Sequence, residues 1–151
     1  MYFIAITTLI FSAFFSGVEI AFISANKLQL ELDKNTGKFP SKIISFFSKN
    51  ESDFITTMLV GNNVTLVIYG ILMTKILTPE LQGFFQSSFT LLLIQTIITT
   101  LIVLVTAEFL PKAIFRIYPN QILKLFSLPI WFFFILLRPI AILMLKLSKL
   151  I

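Results

Sequence analysis

The chain has no cysteine and no histidine among its 151 residues, and only 13% of them are charged. Without cysteine there are no disulfides, no thiolate metal sites and no thiol nucleophile. Without histidine there is no imidazole ligand, and the commonest general base is missing. The ligands that remain are hard oxygens: carboxylate, amide, hydroxyl and main-chain carbonyl. Charge is also scarce against the roughly 25% usual in a soluble domain, so there is little polar surface to cover a water-facing fold. What is abundant is apolar: 57% of the residues, with 18 phenylalanines. Apolar runs of about 20 residues recur, each long enough to cross ~30 Å of hydrocarbon. The net charge of +5 comes from lysines and arginines flanking those runs. Membrane topology calls for that placement, whereas a nucleic-acid surface does not. No positive n-region precedes Met1-Tyr2-Phe3-Ile4, so the first segment is expected to stay in the mature chain.

These features predict an all-α membrane protein of a single domain over residues 1–151. Spans are expected over 2–25, 54–77 and 89–110. Between the first two lies a charged segment, 27–50, that reads as a juxtamembrane helical hairpin. Its first helix is predicted over Lys27 to Lys34, Thr36-Gly37 is the stop, and Pro40 is the first residue of the second helix. In that second helix Ile43, Ile44, Phe46 and Phe47 are expected to face lipid while Lys42 and Lys49 meet headgroup phosphate. Thr78-Pro79-Glu80 opens a turn over 78–88 that carries little positive charge. After residue 111, Lys112, Arg116, Lys124, Arg138, Lys146 and Lys149 accumulate. The positive-inside rule therefore puts 27–49 and the C-terminal region in the cytoplasm, with the N-terminus and the 78–88 turn outside. Residues 120–150, interrupted by Pro129 and Arg138-Pro139, are expected to be amphipathic cytoplasmic helices, a fourth span being the alternative.

Two carboxylates, Glu19 and Glu108, fall inside predicted spans, where a charge costs several kcal/mol unless it is paired or lines a cavity. Ser12, Ser16 and Glu19 stand at i, i+4 and i+7 on one helix face, and Gly17 permits close approach of a neighbouring backbone. Helix-to-helix hydrogen bonding accounts for the serines as well as ligation does. Gly61-Asn62-Asn63 places two amides in an apolar stretch, where an unsatisfied amide is expensive. One asparagine usually joins helices; two suggest a ligand oxygen and an orienting neighbour. In Thr106-Ala107-Glu108-Phe109-Leu110-Pro111-Lys112, Pro111 lacks the N–H that would bond the Ala107 carbonyl, freeing an oxygen beside a carboxylate. Lys112, at i+4, can neutralise Glu108; the plainer reading is a proline kink with a surface ion pair. Gln95, Thr99 and Thr106 add a polar stripe on the same helix. This donor set suits a hard divalent ion, without choosing between Mg²⁺, Ca²⁺ and Na⁺. No nucleophile–base pair is visible, so an enzyme is not expected.

Three stretches together resemble the CorC and cyclin-M (CNNM) magnesium transporters: Phe15-Ser16-Gly17-Val18-Glu19-Ile20-Ala21 with Ser24 after it, Val60-Gly61-Asn62-Asn63, and Glu108-Phe109-Leu110-Pro111-Lys112. Order and separation match over essentially the whole chain. The resemblance implies three spans, a homodimer in a bacterial inner membrane, and a largely dehydrated Mg²⁺ as cargo, with Na⁺ as a candidate coupling ion. Ligation would fall to Ser16, Asn62 or Asn63, Glu108 and the main chain at Ala107. Glu19 and Lys112 would balance charge or gate, alongside Ser12, Gly17, Gly61 and Pro111. The chain departs from the family pattern at Val18, Leu66 and Ala107. Members usually continue into a nucleotide-binding CBS module and a small C-terminal domain. An isolated membrane domain is expected here, with nucleotide acting only through those absent parts. The competing reading is a cation-stabilised sensor, or an assembly or anchor module without transport.

Overall fold

The computed structural model describes residues 1–34, 37 and 39–151, leaving aside the side chains of 33 and 34. The expected stop at Thr36 lies outside the described residues; Gly37 has φ +73°, a left-handed conformation that glycine adopts without a Cβ penalty. The helices are α1 (Tyr2–Ser24), α2 (Lys27–Lys34), α3 (Phe39–Lys49), α4 (Glu51–Leu81), α5 (Ser88–Val103), a π-helical turn (Leu104–Phe109), α6 (Leu110–Ile117), α7 (Pro119–Leu125) and α8 (Ser127–Leu150). Apart from its segmentation by the π turn, the stretch 88–117 runs as one helix of 30 residues.

Among the described residues, four helices have the length and apolar composition of a membrane span, one more than the three expected: α1, α4, the 88–117 helix and α8. The C-terminal region differs most from expectation. Pro129 does not break α8, because it sits in the first turn, where N–H groups have no intrahelical acceptor to bond. Pro139 lies inside the helix and removes only the bond to the Ile135 carbonyl. Similarly α4 runs through Thr78-Pro79-Glu80 to Leu81, so the connection to α5 shrinks to 82–87. A proline in the last turn deletes one bond without ending the helix.

α1 is the central element. It runs antiparallel to α4 and packs on the other side against the π turn and α6. At its C-terminal end the core is aromatic. Phe22 lies 4.4 Å from Phe54, Phe54 4.6 Å from Phe47, and Phe47 5.0 Å from Phe134, centroid to centroid. Most of the apolar face of α3 is therefore covered by protein, not turned to lipid as expected: Phe47, Ile43 and Ile44 are buried, whereas Phe46 is exposed. Protein contact replaces the lipid contact because α8 folds back across α3 and α4.

The junction between α1 and α2 is held by specific bonds. Asn26 caps α2, its Oδ1 accepting the Gln29 N–H at 3.2 Å, and its own N–H donates to Asn120 Oδ1 of α7 at 3.0 Å. Lys27 Nζ donates to the Phe22 carbonyl at 2.6 Å, lies 3.3 Å from the Phe22 ring centre and pairs with Glu51 at 3.8 Å. Burial pushes the Lys27 ammonium below its ordinary range, and the Glu51 charge opposes that shift.

A candidate cation site among three helices

Ser12 and Ser16 are fully buried on the α1 face turned to α4. Ser12 Oγ donates to Asn62 Oδ1 at 2.5 Å, joining the first and second spans through side chains. Ser16 Oγ is enclosed and has no hydrogen-bond partner among the described residues. A buried unpaired hydroxyl costs about 1–3 kcal/mol, so Ser16, one turn from the Ser12–Asn62 pair, is the α1 hydroxyl left with its bonding capacity unused. Asn62 and Asn63 part company: Asn62 is buried against Ser12, whereas Asn63 is exposed. Consecutive helix positions are about 100° apart, which forces this division.

The two glycines are tight for different reasons. A Cβ on Gly61 would lie 2.8 Å from the Phe15 ring and 2.9 Å from Leu137, so glycine lets α1 and α8 close on α4 one residue before Asn62. A Cβ on Gly17 would lie 2.5 Å from the Phe115 ring. The neighbour at Gly17 is thus an aromatic ring of α6, where a backbone was expected. Thr65 Oγ1 lies within bonding distance of the Gly61 and Asn62 carbonyls, at 3.1 and 2.8 Å, and steadies the α4 backbone there.

On the third span the hydrogen-bond ladder changes where the proline predicted. The π turn ends at Phe109, and the Leu110 N–H bonds the Val105 carbonyl, five residues back. That shift takes the usual donor from the Thr106 carbonyl, while Pro111 withholds the donor from Ala107. Two main-chain oxygens, not one, thus lose their i+4 donor immediately before Glu108. Thr106 was the missed member, because a proline alone announces only the loss at i−4. Ala107 is fully buried, Pro111 is buried and Glu108 is partly so. Glu108 and Lys112 line one open cavity of about 490 Å³ together with Arg116. Lys112 is also near enough to Glu19 to attract its carboxylate, and Glu108 to repel it. The i+4 spacing on the third span did not foretell this proximity to Glu19 on α1. Of the polar stripe, Gln95 is buried and donates to Thr78 Oγ1 at 2.7 Å, whereas Thr106 is exposed and bonds its own Ile102 carbonyl.

Among the described residues no three of Asp, Glu, Cys or His gather, so any cation here would rely on neutral oxygens with at most two carboxylates. Mg²⁺ sites commonly have that character. Several helices long and apolar enough to cross a membrane, with a buried hydroxyl–amide pair between two of them, mark a multi-pass membrane protein whose polar groups at membrane depth are functional candidates. The cyclin M transmembrane N-terminal domain matches residues 3–151, and the chain belongs to that family.

Relatives share the domain within longer proteins. The inner membrane protein YfjD of Escherichia coli K12, a UPF0053 protein, is 32% identical over 136 residues, covering 90% of this chain and 29% of its own length. The UPF0053 protein MG146 of Mycoplasma genitalium is 26% identical over 156 residues, covering 98% and 35%. Its Mycoplasma pneumoniae homologue is 29% identical over 104 residues, covering 69% and 24%. The chain thus spans about a quarter to a third of the length of these relatives.

Proposed function

We propose that this domain carries Mg²⁺ across a bacterial inner membrane, binding the ion largely stripped of water between α1, α4 and the π turn. The observation that supports this best is Ser16 Oγ, enclosed and unpaired beside the Ser12–Asn62 bond. The ligands are the Ser16 and Ser12 hydroxyls, the Asn62 amide oxygen, the Thr106 and Ala107 carbonyls and the Glu108 carboxylate. Ser12 releases the Asn62 oxygen when the ion arrives, since a hydroxyl can turn its lone pair to a cation as readily as its hydrogen to an amide. Asn63, turned about 100° from Asn62 and exposed, has no part in this set and faces lipid or a second copy in the homodimer.

Lys112 is the competing cation. With the site empty it neutralises Glu108 and Glu19; an entering Mg²⁺ displaces it, and Na⁺ entering from outside helps the divalent ion leave. α1, α4 and the 88–117 helix span the membrane with the N-terminus outside, and α8, itself long and apolar enough to cross, packs against α4 as deep as Gly61. Nucleotide control belongs to cytoplasmic parts of the longer relatives. Purified chain in liposomes loaded with a Mg²⁺ indicator tests this reading. Flux that both Glu108→Gln and Asn62→Ala abolish is expected, and flux indifferent to both overturns the site. A second reading, a sensor or assembly module, draws on the Ser12–Asn62 bond as a plain clamp between helices; it predicts binding without flux.

A further inference from the structure

Beyond Asn62, toward the 82–87 connection, a second cavity of about 340 Å³ lies between α1, α4 and the end of α5. Its wall is apolar, including Ala5, Leu9, Met73 and Ile102, with the exposed Glu80 on its lining. Tyr69 lines it too, yet is only 1% exposed, and its phenol O–H has no hydrogen-bond partner among the described residues. An unpaired hydroxyl in an apolar interior is costly, and phenylalanine would fill the same space without that cost.

The position of Tyr69 gives the hydroxyl a use. It stands seven residues past Asn62, two turns along the same face of α4. Helical side chains lean toward their own N-terminus, so the Tyr69 ring reaches from the cavity back toward Asn62. Neighbouring hydroxyls are tied to their own helices: Thr8 bonds the Ala5 carbonyl at 2.8 Å, and Thr65 bonds carbonyls of α4. The Tyr69 oxygen alone among these three is uncommitted.

The geometry points to Tyr69 as the outer gate of the cation path. Its ring closes the cavity off from the Ser12–Asn62 pair, and its phenol oxygen is the first ligand that an ion leaving that pair toward the 82–87 side would meet. A neutral phenol coordinates through a lone pair and keeps its proton, so the ion passes without a protonation step. Glu80 draws cations to the mouth by its charge. This inference rests on the transport reading above and adds its exit.

The absence of cysteine makes thiol labelling free of background. Ser12→Cys is placed in the full chain in liposomes, and a membrane-impermeant methanethiosulfonate is added from the 82–87 side. The introduced thiol is expected to be protected while Tyr69 is present and to react about tenfold faster once Tyr69→Ala is added. Labelling that Tyr69→Ala leaves unchanged overturns the gate. Should that double variant fail to fold, Tyr69→Phe decides: Mg²⁺ binding stays within about twofold while flux falls about tenfold. Unchanged flux in Tyr69→Phe overturns the gate. If the natural chain binds no Mg²⁺ at all, the ion reading above has failed, and the labelling result still judges the gate as a barrier to water.

Discussion

The two ends of the α1–α4 contact are built on opposite principles. Near the juxtamembrane helices, Phe22, Phe47, Phe54 and Phe134 meet ring to ring with no polar atom required. Ten residues back along α1 and eight along α4, the same pair of helices meets through Ser12 and Asn62, with Ser16 unpaired beside them. Aromatic packing gives stability that tolerates little change of volume. The oxygen cluster gives less stability than apolar side chains would, and so marks where the fold yields to function.

Substitutions at the two ends should therefore separate stability from binding. The largest stability loss is expected from Phe54→Ala, about 3–5 kcal/mol from lost transfer energy and the cavity left behind, read as a lowered thermal midpoint in detergent. Mg²⁺ affinity of the folded fraction should be preserved; a selective loss of affinity would erase the contrast. Gly17→Ala comes next, at about 1–3 kcal/mol, because its new methyl meets the Phe115 ring. Pairing it with Phe115→Leu should restore the midpoint, and no recovery would place the strain elsewhere. Asn62→Ala should cost only about 1 kcal/mol, the scale of a hydrogen bond between membrane helices, yet remove saturable Mg²⁺ binding.

The smallest effect concerns pH at the aromatic end. Burial lowers the Lys27 pKa from its ordinary 10.5, so the unfolded chain holds more protons than the folded one between the two values. Stability should rise with pH through that window, and the rise should vanish in Lys27→Met. A slope that survives in Lys27→Met would belong to another group.

Much of the fold was legible because membrane spans are set by composition alone: the apolar runs located α1 and α4 to within a few residues, and the start of the third helix, which continues past its expected end at 110 to Ile117. Pro111 foretold the broken ladder at Glu108, since a missing N–H is a local fact. What escaped reading was tertiary. Pro129 and Pro139 suggested breaks in 120–150, yet the first-turn position of one and the packing of α8 on α4 keep a single helix of 24 residues. Phe47 looked ready for lipid because sequence cannot tell an aromatic partner from an acyl chain. The site residues were read by type and spacing; the division between Asn62 and Asn63 needed the helix to be placed. Tyr69 was missed because a tyrosine in an apolar run looks like core. Its i+7 relation to Asn62 was the available signal.

The most direct test of a divalent-cation site at the oxygen cluster is Mg²⁺ titration calorimetry of the detergent-purified chain, comparing the natural sequence with Glu108→Gln and with Ca²⁺ and Na⁺ as competitors. Saturable Mg²⁺ binding lost in Glu108→Gln is the predicted result. A well-folded natural chain that binds no Mg²⁺, or binds it as well in Glu108→Gln, would contradict it.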